Sequence, residues 1–404
     1  MAKRTLDAFF KPSTTTPKRL KPEPIESNTA ISTPEPNNIP TENTKPPSQH
    51  QSYPIPIAQL PSHIEVGLEY ATPATAPRQI NNQPHLDLLH FQPYIPRPTA
   101  NELFQFLRRE LPFYRVQYTA RRGDIETQIN TPRWTTVFGV DETSTFIQEQ
   151  DSNPNSLVLV ETKTKTPTPK TKYQCTPRPI PACLDLLRKQ VEAANARATA
   201  NTDADNKHPG YNFCLVNYYA SGDDSIAFHS DDERFLGPDP NIASLSLGGK
   251  RDFLMKHKPF VPGGIVNRTA GGCVPGAAHA ISGLGGTSAT RGSCTVSSGT
   301  SNSNTVSTPG SRPAATVPLQ QIKMSLGSGD MVVMRGKTQS NWLHSIPKRK
   351  GKAGEATGGR INITFRRAVI PGGTNNYYHY NVGSGGMYRW DEVAREMVLQ
   401  DKKV

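Results

Sequence analysis

Polar and apolar residues alternate strictly in Arg360-Ile-Asn-Ile-Thr-Phe-Arg366, with Arg360, Asn362, Thr364 and Arg366 on one side and Ile361, Ile363 and Phe365 on the other. Residues i and i+2 of a strand share a face, so the pattern predicts a strand with an apolar back and a row of polar side chains in front. Comparable runs predict strands near 213–219, 226–230, 242–247, 251–257, 329–334, 343–346 and 360–369. Leu103, Phe104, Phe106 and Leu107 form a stripe at helical spacing, which predicts a helix over 99–111 with Thr99 as its N-cap. A second helix is expected over 181–198 on the outside of the sheet, and a short one over 390–400.

The apolar material is concentrated between about 84 and 260 and between 319 and 370, although the chain has 404 residues, of which only 34% are hydrophobic. One packed core with polar additions is therefore expected. Residues 1–83 are rich in Pro, Thr, Ser, Asn and Gln and cannot bury enough surface to offset chain entropy, which predicts a disordered arm. Residues 262–318, rich in Gly, Ser, Thr and Ala, have no period and read as a disordered low-complexity insertion between two strands. Residues 372–404 form a Gly- and Tyr-rich tail.

The net charge of +12 favours a polyanionic partner, without telling DNA from RNA. Cys175, Cys183, Cys214, Cys273 and Cys294 contain no Cys-x-x-Cys pair and are odd in number, which argues against a zinc site or a disulfide framework and for a reducing compartment. No apolar run is long enough to span a membrane, and a soluble monomer is expected.

The chemistry gathers at His229-Ser-Asp231, whose two side chains share a strand face and can reach one ion. With His344, two imidazoles and one carboxylate leave three positions open, which suits Fe(II) chemistry better than a closed zinc site. Two arginine forks on one strand face could hold both ends of a diacid, and Asn217 and Tyr219 share a face in 213–219. Taken singly, His344 reads as an ordinary partly buried histidine, and Arg360 and Arg366 as the wet face of an edge strand.

Together, Asn217-Tyr-Tyr219, His229-Ser-Asp231, the distal His344 and Arg360-Ile-Asn-Ile-Thr-Phe-Arg366 resemble, in order, the motifs of the AlkB family of Fe(II)/2-oxoglutarate-dependent dioxygenases, especially its eukaryotic DNA-repair branch. The resemblance covers about residues 84–370 and implies a dioxygenase domain over 84–371. It implies a mainly β fold with flanking helices, built on a double-stranded β-helix (jelly-roll) core. It also implies that His229, Asp231 and His344 bind Fe(II), and that Asn217, Tyr219, Arg360, Asn362, Thr364 and Arg366 hold 2-oxoglutarate. Asp232 and Glu233 would act in catalysis and face the base, with Trp134, Phe138 and Arg251 as further substrate contacts. Trp134 and Phe138 fall in a segment resembling the family's substrate lid, the other reading being core.

The implied reaction is oxidative demethylation of N1-methyladenine or N3-methylcytosine. It consumes dioxygen and 2-oxoglutarate, releases formaldehyde, and can be aided in vitro by ascorbate. The base must be flipped out or single-stranded to reach the site. An RNA demethylase and a non-catalytic nucleic-acid-binding module are the alternatives. Leu6, Phe9 and Phe10 resemble the box by which proteins dock on PCNA, with Lys3 replacing its usual Gln. The cluster Pro17–Pro22, with Lys3 and Arg4, reads as a nuclear import signal, and Lys348, Arg349, Lys350 and Lys352 as phosphate contacts.

Overall fold

Arg360–Arg366 lies in the interior of a ten-stranded sheet in the computed structural model, not at its edge. Described are residues 45–70, 73, 75–122, 125–148, 156–199, 210–259, 319–349, 359–383 and 385–400. The first strands are β1 (Arg78–Ile80), β2 (Leu88–Phe91), β3 (Phe113–Tyr114), β4 (Gln117–Arg122), β5 (Ile125–Asn130) and β6 (Trp134–Gly139). Next come β7 (Ser144–Gln148), β8 (Leu157–Glu161), β9 (Phe213–Tyr219), β10 (Ile226–His229), β11 (Ile242–Gly248) and β12 (Arg251–His257). The last are β13 (Ile322–Leu326), β14 (Met331–Met334), β15 (Trp342–Ile346), β16 (Arg360–Arg366), β17 (Met387–Asp391) and β18 (Glu396–Gln400). The longer helices are α1 (Ser62–Glu69), α2 (Arg97–Glu110) and α3 (Ala182–Thr199).

The large sheet has the order β1-β2-β14-β11-β16-β9-β6-β3-β17-β18, and a smaller one the order β10-β15-β12-β13. Ile361, Ile363 and Phe365 on the back of β16 join Leu103, Phe104 and Leu107 of α2 and Leu184 and Leu187 of α3 in one buried cluster. Burying each such side chain contributes roughly 1.5–3 kcal/mol. A second cluster joins Val137, Phe213 and Leu215 of the large sheet to Phe253, Met255 and Trp342 of the small one. Two antiparallel sheets with apolar residues between them make the double-stranded β-helix expected from the sequence. Register places Ser246, Asn362, Asn217 and Thr135 side by side across β11, β16, β9 and β6, a polar row facing the gap between the sheets.

The structure corrects the sequence reading at several places. Within the supposed disordered arm of residues 1–83, the part from residue 45 onward packs: Ile57, Leu60, Ile64 and Leu68 are buried, the last two on α1. On α1, Ile64 and Leu68 are four residues apart and share one helix face, an apolar pair that the Pro-rich composition obscures. Thr99 is not an N-cap, because α2 starts at Arg97 after Pro96 and takes Pro98 into its first turn, where its missing N–H costs nothing. The short helix expected over 390–400 is instead the β17–β18 hairpin. Asp391 accepts the amides of Val393 and Ala394 to close its turn, and β17 continues the sheet from β3.

β12 and β13 are paired from Arg251↔Leu326 to Met255↔Ile322, so residues 260–318 join two neighbouring strands, as expected. The insertion itself, Leu6, Phe9, Phe10, the basic cluster Pro17–Pro22, Lys350, Lys352, Cys273 and Cys294 lie outside the described residues.

Candidate active site

His229 and His344 are direct cross-strand partners on β10 and β15, with ring centroids 4.2 Å apart. Asp231, two residues past the end of the β10 ladder, places Oδ1 3.8 Å from His229 Nε2 and Oδ2 3.7 Å from His344 Nε2. Atoms that each sit about 2.1 Å from one ion can be at most about 4.2 Å apart, so this separation fits a shared metal. Among the described residues it is the only such cluster. Neighbours orient each ligand. His229 Nδ1 lies 2.9 Å from the carbonyl of Ala227 and donates to it, which leaves Nε2 as the lone-pair nitrogen. His344 stacks on Phe253, and the Asp231 amide donates to Gln339 Oε1 at 2.9 Å.

Charge states favour metal binding. Burial, then the neighbouring His229, push His344 down to about 3, and burial also lowers His229, so both imidazoles are neutral. Burial opposes the charge on Asp231, but the guanidinium of Arg366, with Arg133 behind it, outweighs this and holds the carboxyl below its usual range.

Across the gap, the front of β16 supplies cationic donors. Arg360 is 2% exposed; its Nη2 donates to Ser246 Oγ at 2.9 Å, while Nε and Nη1 have no hydrogen-bond partner. Burial lowers its guanidinium to about 10. A buried cation with two idle N–H groups is costly alone and suits an incoming carboxylate. The turn before it needs Gly359, at φ +92°, where a Cβ would stand 2.7 Å from the ring of Tyr218. A small cavity bounded by Tyr219, Ser221, Gly249, Arg251, Arg349 and Arg360 opens beside this guanidinium.

Arg366 reaches Asp231 Oδ1 with Nη2 at 3.1 Å and donates through Nη1 to the Tyr377 hydroxyl at 2.8 Å, and its Nε is unpartnered. Asn217 Oδ1 accepts from Arg133 Nε at 3.0 Å. Asn362 and Thr364 share this face, but Asn362 Nδ2 donates to Ser244 Oγ at 2.8 Å and to the Leu245 carbonyl at 3.0 Å, and Thr364 Oγ1 to the Leu215 carbonyl at 3.1 Å. They brace the sheet.

The remaining expected residues divide. Asp232 is exposed and pairs with Lys258 at 2.7 Å. Glu233 accepts from Tyr377 at Oε1, 2.6 Å, and keeps a buried Oε2 with no partner. Burial raises its carboxyl above the usual range. Trp134 and Phe138 are not lid residues: both lie on the back of β6 in the helix-covered core. Strand parity decides it, since Arg133 and Thr135, one residue out of step, face the site. Arg251 is not free for a substrate, because its guanidinium donates to the carbonyls of Ser221, Asp224 and Pro347 and ties two loops to β12.

Sequence reasoning missed Arg133, Gln339 and Tyr377. The alternation in 133–138 could have separated Arg133 from Trp134, whereas nothing local marks Tyr377, which arrives from beyond β16.

Residues 87–366, well over half of the chain, match the 2OG-Fe(II) oxygenase superfamily. The chain is 33% identical over 161 residues to the DNA oxidative demethylase ALKBH2 of Arabidopsis thaliana, covering 39% of this chain and 37% of that protein. It is 28% identical over 196 residues to ALKBH2 of Mus musculus, covering 48% and 54%. It is 27% identical over 156 residues to the alpha-ketoglutarate-dependent dioxygenase alkB homolog 3 of Mus musculus, covering 39% and 36%. The matched segments thus span about half or less of these relatives. With its His-Asp-His cluster and two site-facing arginines inside the matched segment, the chain belongs to the 2OG-Fe(II) oxygenase superfamily, and its likeness within it is to the AlkB-type dioxygenases.

Proposed function

We propose that this protein is an oxidative demethylase of N-alkylated bases in DNA, with N1-methyladenine and N3-methylcytosine as substrates and formaldehyde as the released carbon. The observation that carries the reading is the facing of the His229, Asp231 and His344 cluster by Arg366 and Arg360 on the front of β16. The names of the relatives support DNA as the polymer.

Fe(II) and 2-oxoglutarate, when bound, would supply dioxygen activation at this site, the overall reaction converting 2-oxoglutarate to succinate and carbon dioxide. His229 and His344 offer neutral nitrogen lone pairs, and Asp231 a charged oxygen that Arg366 keeps in place. Arg360 offers Nε and Nη1 to one carboxylate of the co-substrate, beside Tyr219, while Arg366 holds the other. Glu233 Oε2 is the acceptor left for the exocyclic amino group of a flipped base, where its charge also favours the cationic ring that methylation creates. Asp232, exposed and paired with Lys258, assists from the rim. Lys348 and Arg349, both exposed, supply sequence-independent phosphate contacts. Leu6, Phe9 and Phe10 tether the enzyme to PCNA in the nucleus; a pull-down with residues 1–12 deleted that retains PCNA would remove that part alone.

The test is formaldehyde and succinate release from methylated oligonucleotides supplied with Fe(II) and 2-oxoglutarate, on DNA and on RNA of equal sequence. Turnover on DNA, lost in His229→Ala, is expected. Turnover confined to RNA would reassign the substrate.

A further inference from the structure

Tyr377 lies beyond the segment that matches the superfamily, in the short helix Asn375–Tyr378 that follows β16. It is nevertheless 4% exposed, and its hydroxyl stands between two groups of the site. The hydroxyl donates to Glu233 Oε1 at 2.6 Å and accepts from Arg366 Nη1 at 2.8 Å. Arg366 Nη1 and Glu233 Oε1 are themselves 3.9 Å apart, too far for a hydrogen bond. The tyrosine ring is held between Phe213 and Phe235, at centroid distances of 5.3 and 5.7 Å. Its backbone carbonyl accepts from Asn381 Nδ2 at 2.8 Å, and Asn381 is bonded in turn by Thr135 of β6. The hydroxyl is thus fixed from both sides.

We propose that Tyr377 is a positioning residue for the 2-oxoglutarate clamp: its neutral hydroxyl fills the gap between Arg366 and Glu233 and keeps that carboxylate from closing on the arginine. The inference rests on the reading of Arg366 as a carboxylate holder. Arg366 already has Asp231 at 3.1 Å, and a second direct carboxylate would occupy the edge a co-substrate needs. Without the hydroxyl, Glu233 Oε1 loses its donor, and a buried acceptor left bare is costly. Its nearest replacement is Arg366 Nη1, which a small side-chain rotation brings within bonding distance. That new ion pair competes with 2-oxoglutarate and draws Glu233 Oε2 off its position.

The experiment is a calorimetric titration of the full chain with 2-oxoglutarate, with Mn(II) in place of iron and no nucleic acid present. Tyr377→Phe keeps the ring packing and removes only the hydroxyl, and it is expected to weaken 2-oxoglutarate binding about tenfold. Adding Glu233→Gln to that variant removes the competing charge and restores affinity to within about twofold of Glu233→Gln alone. Unchanged affinity in Tyr377→Phe overturns the proposal. So does a weakening that persists in the double variant, because the hydroxyl would then act through its own bond to Arg366 and not by keeping Glu233 away. A wild-type protein that binds no 2-oxoglutarate overturns the proposed function itself, and this inference with it.

Discussion

On β16 two surfaces stand back to back: Ile361, Ile363 and Phe365 pack against α2 and α3, and one residue out of step Arg360, Asn362, Thr364 and Arg366 face the gap between the sheets. Both sets are buried, so burial alone does not separate core from site. What separates them is hydrogen bonding. The back has no polar side chain to satisfy, while the front leaves Arg360 Nε and Nη1 and Arg366 Nε without partners. An enzyme that keeps idle cationic donors out of water has a use for an anion there.

The comparison can be broken from either side. Just past the end of β10, facing that front, Asp231→Ala is expected to abolish metal binding and reduce turnover to background while the fold persists, as read by Mn(II) titration and circular dichroism. On the back, Phe365→Ala should cost about 3–5 kcal/mol of stability by cavity formation, measured by urea denaturation, with 2-oxoglutarate affinity of the folded fraction unchanged. On the front, Arg360→Lys should raise the KM for 2-oxoglutarate about 10- to 100-fold, because an ammonium cannot present two parallel donors, with little change in Tm.

Acid sharpens the contrast further. His344 is held at about 3, against 6.5 in the unfolded chain, so between those values the unfolded state binds a proton that the fold excludes. Stability is therefore full above about pH 6.5 and falls as pH drops, by about 2 kcal/mol at pH 5 from this residue. Asp231, whose carboxyl is lowered, adds a loss at more acid pH, where protonation removes its attraction to Arg366. Thermal melts of metal-free protein from pH 7 to 5 should show this slope, and His344→Gln should flatten it. The smallest effect is expected for Thr364→Val, about 1 kcal/mol, from the lost bond to the Leu215 carbonyl.

The period of two in 360–366 makes β16 and its faces legible, because alternation is a local property that the sheet only has to preserve. His229 and Asp231 are legible for the same reason. His344 required family order, since only the β10–β15 pairing brings it to them. Trp134 and Phe138 went astray because aromatics beside Arg133 suggest base stacking, although parity sends them to the helix side. Residues 390–400 formed a hairpin because β17 found an open partner in β3, which no local propensity encodes. Tyr377 carries no pattern at all; its role exists only where the tail folds back on Glu233 and Arg366.

The most direct measurement of the central claim is formaldehyde release from a single-stranded DNA oligonucleotide carrying one N1-methyladenine, with Fe(II) and 2-oxoglutarate present. The account predicts formaldehyde and succinate in equal amounts from the wild-type protein and neither from Asp231→Ala. Equal turnover by Asp231→Ala, or no formaldehyde from a wild-type protein shown to bind both Fe(II) and 2-oxoglutarate, would contradict it.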